Sequence, residues 1–153
     1  MSLRDKLIGC WKLQSYMEFP VDEATPIYPL GEDAKGILMY THDGFMSVQI
    51  MRSDRPAFAS GDWFRGTPEE YTKAGDYIAY AGPFDVDEET SMLTHGMFVS
   101  FFPNWLGQTQ IRLAELQSNC LRLVPAAPIQ SGGKAAIPRL VWQRAVPDSP
   151  EIR

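Results

Sequence analysis

The sequence predicts an all-β domain of about eight antiparallel strands, in a number and order that suit an up-and-down barrel. Three observations predict it. Apolar and polar residues alternate with a period of two through most segments, glycine and proline cut the 153-residue chain into short runs, and only one segment, residues 67–75, carries helix signals. Eight such strands can close on themselves and still leave room for one small ligand, and closure leaves no open sheet edge.

The length fits a single domain, 1–153, large enough to bury a core without disulfide or metal staples. The composition is 44% hydrophobic and 22% charged, which places the chain among ordinary globular domains. Net charge is −5 and lysines and arginines are scattered singly, so no basic stripe exists to meet nucleic-acid phosphates. No apolar run approaches the ~18 residues of a membrane span. "MSLRDKLIG" is too short and too charged for a signal peptide, and the expectation is a cytoplasmic protein. Cys10 and Cys120 stand far from any metal or redox spacing and alternate against core positions; both are expected as outward, reduced thiols.

The first strand, "GCWKLQSYMEF", alternates cleanly: Trp11, Leu13, Ser15 and Met17 fall on one face, and Cys10, Lys12, Gln14, Tyr16 and Glu18 on the other. Residues 20–35 hold three prolines and read as an irregular loop. In "GILMYTHDGFMSVQIMR", Asp43-Gly44 predicts a two-residue type I′ hairpin. That turn opposes Tyr40 to Ser47, Leu38 to Gln49 and Gly36 to Met51, and leaves Ile37, Met39, Thr41, Met46, Val48 and Ile50 on the alternate face.

Thr67 as N-cap, Pro68 at the first helical position, Glu70 completing a capping box and Gly75 as a stop predict a short helix. Strand-like runs follow in "YIAYAGPFDV", "SMLTHGMFVSFF", "QTQIRLAEL", "CLRLV" and "RLVWQRA". The second of these is apolar on both faces. Leu93, His95, Met97, Val99 and Phe101 share one, and Met92, Thr94, Phe98, Ser100 and Phe102 the other. A closed barrel has water outside it, so the outer face calls for a cover: the 67–75 helix, the 20–35 loop, or a second copy in a homodimer.

Two features separate a barrel from a two-sheet sandwich. The first strand carries Gly9-x-Trp11 and the last carries Trp142-x-Arg144, which resembles the calycin signature. The resemblance implies that Trp11 closes one barrel end and that Arg144 packs across its ring as a cation–π plug. More extensively, "YPLGEDAKGILMYTHDGFMSVQIMRSDRPAF", "YAGPFDVDEETSMLTH" and "FPNWLGQTQIRLAEL" resemble the lipocalin-like domain family of bacteria and fungi, from Gly9 to Arg144. The family consists of small calycin-type barrels, mostly uncharacterised, some beside or within natural-product biosynthetic systems. The resemblance therefore implies fold more than chemistry. His42 departs from the family pattern, which often has proline there.

Ligand pockets are mostly apolar with a few placed polar groups. The mixed hairpin face, Leu38, Tyr40, Ser47, Gln49 and Met51, therefore suits a lumen, and the family's recurrent Leu, Tyr, Ser and Gln positions favour it. Tyr80, His95, Met97 and Arg112 complete the candidate ligand-binding set. His95 has three open roles: a structural hydrogen bond across the sheet, contact or proton exchange with a ligand, and metal ligation. The last lacks a Cys/His cluster, and His42, the only other histidine, sits at a turn. Arg112 is either a solvated surface side chain or an inward guanidinium demanding an anionic partner. Trp105 reads as a barrel-end plug in preference to a rim aromatic, and Arg52, Asp54 and Arg55 as a solvated loop.

Three functions fit these residues. The first is a binding protein for a small, mostly apolar or amphipathic molecule, needing no cofactor or metal, with its seven methionines adapting the walls. The second is a cofactor-independent isomerase or cyclase with His95, Tyr40 or Tyr80 as general acid or base. The third is a filled structural barrel. No hydrolase triad, nucleophile elbow, phosphate loop or dinucleotide fingerprint is present.

Overall fold

Alternating strands joined by tight turns wind into a closed antiparallel barrel of eight strands, with two extra strands and few helical residues. The computed structural model describes residues 1–147, 150 and 152. In chain order the elements are α1 (Leu3–Leu7), β1 (Gly9–Pro20), β2 (Lys35–Tyr40), β3 (Phe45–Met51), α2 (Pro68–Ala74), β4 (Tyr77–Asp87), β5 (Met92–Gly96), β6 (Val99–Ser100), β7 (Thr109–Gln117), β8 (Cys120–Pro125), β9 (Ile129–Ser131) and β10 (Lys134–Arg144). The ring runs β1-β2-β3-β4-β5-β7-β8-β10, and pairing of β10 with β1 closes it. β6 adds to β4 and β9 to β10. The expected 67–75 helix is α2, capped by Thr67 and Glu70 with Pro68 in its first turn. α1 went unpredicted, although Ser2 and Asp5 form a capping box there.

Two local features correct the expected faces. Pairing of β1 with β10 runs Leu13↔Trp142 and then Ser15↔Val141, so Gln14 is the extra residue of a β-bulge. Trp11 and Leu13 point inward before the bulge, and Tyr16 and Glu18 after it. The expected Ser15 and Met17 face is turned outward.

The β2–β3 turn is the second. Thr41 O accepts from Gly44 N at 3.1 Å and Thr41 N donates to Phe45 O at 2.8 Å, with Thr41 Oγ1 bonded to Asp43 Oδ1 at 2.5 Å. Gly44 has φ +96°, while Asp43 keeps a negative φ. This is a three-residue loop with a glycine bulge, in place of the type I′ turn. The register therefore moves by one: Tyr40 faces Met46 and Leu38 faces Val48. A one-residue slip exchanges the faces of one strand. The interior takes Leu38 and Tyr40 from β2 but Met46, Val48 and Ile50 from β3.

The 90–107 run is likewise two strands. Leu93, His95 and Met97 are buried, then the alternation breaks, and Ser100 lies opposite inward-facing Tyr80. Gly82 makes this crossing possible: a Cβ there would stand 2.0 Å from the Gly96 carbonyl oxygen. Outside, Phe98, Val99 and Phe101 stay exposed, so neither α2 nor the 20–35 loop covers them. α2 packs instead on the β3–β4 loop, with Tyr71 at 5.2 Å from the Phe58 ring and bonded to Trp63 O.

Candidate functional site

One barrel end is sealed by α1 and Trp11. The indole is fully buried and donates Nε1–H to Leu7 O at 2.9 Å. Arg144, paired with Trp11 in register, lies over the ring at 4.2 Å from its centroid and donates to the carbonyls of Ile8 and Lys6. These bonds satisfy carbonyls that the last turn of α1 leaves without intrahelical partners.

Above the plug lies a cavity of about 400 Å³ whose wall includes Tyr16, Val48, Tyr80, Trp105, Arg112 and Trp142. That volume falls in the range of small-molecule sites. Trp105, delivered by a single 3-10 turn at Pro103–Trp105, stands edge-on to Tyr80 at 5.9 Å and to Phe102 at 5.3 Å. It is a wall aromatic of the cavity, not a barrel-end plug.

Arg112 points into this space from β7, between Gln110 and Ala114 on the inner face. Its guanidinium donates to Gln110 Oε1 at 2.5 Å and to Ile111 O at 3.2 Å. Among the described residues no carboxylate pairs with it. A half-buried guanidinium held by two neutral oxygens keeps further N–H donors for an anionic or carbonyl acceptor.

His95 and Tyr40 sit behind the wall. Tyr40 Oη and His95 Nε2 are 2.8 Å apart, and neither residue borders the cavity. Burial first, then the charge of Arg112, depresses the His95 pKa to about 3, so the ring is neutral near pH 7. Burial holds the Tyr40 phenol well above the ordinary tyrosine range. His95 Nδ1 has no partner among the described residues. With Tyr40 as donor to Nε2, one N–H is left unpaired. The reverse assignment strands both the phenol hydrogen and the Nδ1 lone pair, so the first is favoured.

Of the candidate set, Tyr80 and Arg112 border the cavity, while Leu38, Tyr40, His95 and Met97 are buried in the packed interior around it. Ser47, Gln49 and Met51 are corrected: the shifted hairpin register turns them to the outer surface, where they border a groove with Met39 and Tyr77. Two inward polar residues escaped sequence reasoning. Tyr16 Oη donates to Glu18 Oε1 at 2.5 Å, and Glu18 is 1% exposed. Only the bulge at Gln14 brings them inside, and nothing in the alternation marks that bulge. Among the described residues no group of three or more His, Cys, Asp or Glu side chains is placed to hold a metal ion, and no helix is long and apolar enough to cross a membrane. Cys10 is partly buried and Cys120 exposed, both as free thiols.

A closed antiparallel barrel, plugged at its base by stacked Trp and Arg and hollow above, defines a calycin-type protein. The chain belongs to the lipocalin-like domain family, whose model matches residues 8–145. It is similar to the 4′-hydroxy-3′-methoxypropiophenone carrier protein ppsC of Aspergillus oryzae, at 31% identity over 106 residues, 65% of this chain and 96% of that protein. An uncharacterized protein from Bacteroides eggerthii, known from its crystal structure, aligns over 91% of this chain and 99% of its own, with a TM-score of 0.45 and 11% identity.

Proposed function

We propose that the protein binds a small, mostly apolar molecule in the barrel cavity, with an electronegative group of that molecule held by Arg112. The observation that carries this reading is the Arg112 guanidinium, set in the cavity wall with no acidic partner among the described residues. A ligand carbonyl, phenolate or carboxylate accepts from the N–H groups Arg112 still has free, and the aromatic and aliphatic walls supply the affinity. The relative that carries an aryl ketone supports the same reading, since such a ketone combines an apolar ring with a carbonyl acceptor.

Binding is favoured over isomerase or cyclase chemistry by the position of the candidate acid–base pair. His95 and Tyr40 are sealed from the cavity, and a general base must reach the proton it abstracts; Tyr80, the third candidate, borders the cavity, but its hydroxyl has no hydrogen-bonded base or acid beside it among the described residues. The test is calorimetric titration with 4′-hydroxy-3′-methoxypropiophenone. Saturable one-to-one binding that weakens in Arg112→Met supports the reading. No saturable binding of this ketone or of any apolar fluorescent probe overturns it.

A further inference from the structure

The cavity carries a second polar feature of opposite sense to Arg112. Tyr16 borders it, and the single hydroxyl hydrogen of Tyr16 is already given to Glu18 Oε1 at 2.5 Å. A tyrosine whose proton is committed offers only oxygen lone pairs to anything else. Burial and the bond to Glu18 also hold this phenol protonated, so Tyr16 remains neutral at ordinary pH. The second carboxyl oxygen, Glu18 Oε2, is buried with no partner among the described residues, leaving further acceptor capacity behind the phenol.

The donors lie elsewhere on the wall. Arg112 can only donate. Trp142 Nε1–H, on a residue 1% exposed that borders the cavity, has no acceptor among the described residues. A buried donor left unmet costs more than a hydrogen bond gains, so Trp142 selects for a ligand acceptor, while Arg112 and Tyr16, each already hydrogen-bonded, add selectivity through the N–H groups and the lone pairs they still offer. A purely acceptor molecule, such as a simple fatty acid, answers Arg112 and Trp142 but makes no use of the lone pairs that Tyr16 offers.

We propose that Tyr16, oriented by Glu18, is the cavity's acceptor pole, and that the ligand class is bipolar: an apolar body with an acceptor at one position for Arg112 and Trp142 and a hydroxyl or N–H donor at another for Tyr16. This rests on the binding reading above and adds the requirement for the donor.

Three probes of one scaffold test it by calorimetry: 4′-hydroxybutyrophenone, 4′-fluorobutyrophenone, and 4-butylphenol, which keeps the hydroxyl and lacks the carbonyl. The hydroxy ketone is expected to bind roughly tenfold tighter than the fluoro ketone, although fluorine is the easier group to take out of water. It should also bind tighter than 4-butylphenol, which offers nothing to Arg112. In Tyr16→Phe the preference for hydroxyl over fluorine should vanish. Equal or tighter binding of the fluoro ketone to the wild-type protein overturns this inference and leaves the binding reading standing. So does a hydroxyl preference that persists in Tyr16→Phe. Failure of all three probes to bind overturns this inference, and the binding reading falls with it when 4′-hydroxy-3′-methoxypropiophenone and apolar fluorescent probes also fail to bind. The wild-type comparison stands alone if Tyr16→Phe does not fold.

Discussion

The Tyr40 hydroxyl meets Nε2 of His95 at 2.8 Å inside the barrel, where the two residues are 2% and 0% exposed, tying β2 to β5 through the interior. The pair makes stability depend on pH. His95 binds its proton with a pKa of about 3 in the folded chain, against 6.5 when unperturbed. The group's folded pKa is depressed, so its stabilising contribution is complete above pH 6.5 and drains as pH falls towards 3, because only the unfolded chain takes up the proton. Between pH 6.5 and 4.5 the free energy of unfolding should fall by up to about 1.4 kcal/mol per pH unit on this account. Chemical denaturation across that window should show the slope, and His95→Gln should remove it. An unchanged slope in the variant would contradict the assignment. Asp5, Asp33, Glu70 and Asp87, whose pKa values are lowered by hydrogen bonds, add acid sensitivity as pH falls towards their unfolded values, Glu70 from the lower end of that window and the aspartates below it.

Tyr40→Phe removes the only hydrogen-bond partner of the His95 ring among the described residues and leaves both ring nitrogens unpaired in the interior. A loss of about 1–3 kcal/mol in unfolding free energy is expected, the cost of a buried unmet polar group. Urea denaturation measures it, and a neutral result would show that water or a rotated His95 satisfies the ring.

Arg112→Met separates binding from stability. Among the described residues Arg112 has no acidic partner to strand, so the change should alter unfolding free energy by less than about 1 kcal/mol. Affinity for an aryl ketone should fall at least tenfold, the loss expected of a hydrogen bond to a charged group. Strong destabilisation with unchanged affinity would make Arg112 structural.

Gly82→Ala sets a Cβ 2.0 Å from the Gly96 carbonyl oxygen, a contact with backbone that no rotamer relieves. The crossing of β4 under residues 96–98 must open, at a cost of at least about 2 kcal/mol. A thermal melt within experimental error of wild type would show that the crossing adjusts freely.

The outer face of β2, β3, β4 and β6 carries Met39, Ser47, Ala81 and Val99 side by side in register, flanked by Phe45, Phe98 and Phe101. Phe98 is 80% exposed. Small residues make the centre flat and the aromatics make it apolar, a surface suited to a second copy about a two-fold axis. Light scattering should give a dimer mass, and Phe98→Glu should give the monomer. A monomer mass for the unaltered protein at all concentrations would sink this.

Strand number, order and closure were legible because they depend on period-two alternation, turn residues and the helix caps of Thr67 and Glu70. Trp11 and Arg144 are singled out through the resemblance to the calycin signature, and closure of β1 on β10 makes them register partners. The lining was far less legible. One extra residue at Gln14 and one extra residue in the 42–44 loop each turn a strand over, bringing Tyr16 and Glu18 in and sending Ser47, Gln49 and Met51 out. Neither insertion changes the local pattern of apolar and polar residues. Asp43-Gly44 serves a two-residue turn as well as the loop in which Thr41 and Asp43 bond to each other.

Proton NMR with methyl-labelled protein and 4′-hydroxy-3′-methoxypropiophenone tests the central claim most directly, that the lumen above the Trp11 plug holds the ligand. The account predicts intermolecular Overhauser contacts from the ligand ring to methyls of Val48, Ile78, Leu123 and Leu140, all on the cavity wall. Contacts to Ile37, Met39 and Met51 in the outer groove instead, or none at all, would contradict it.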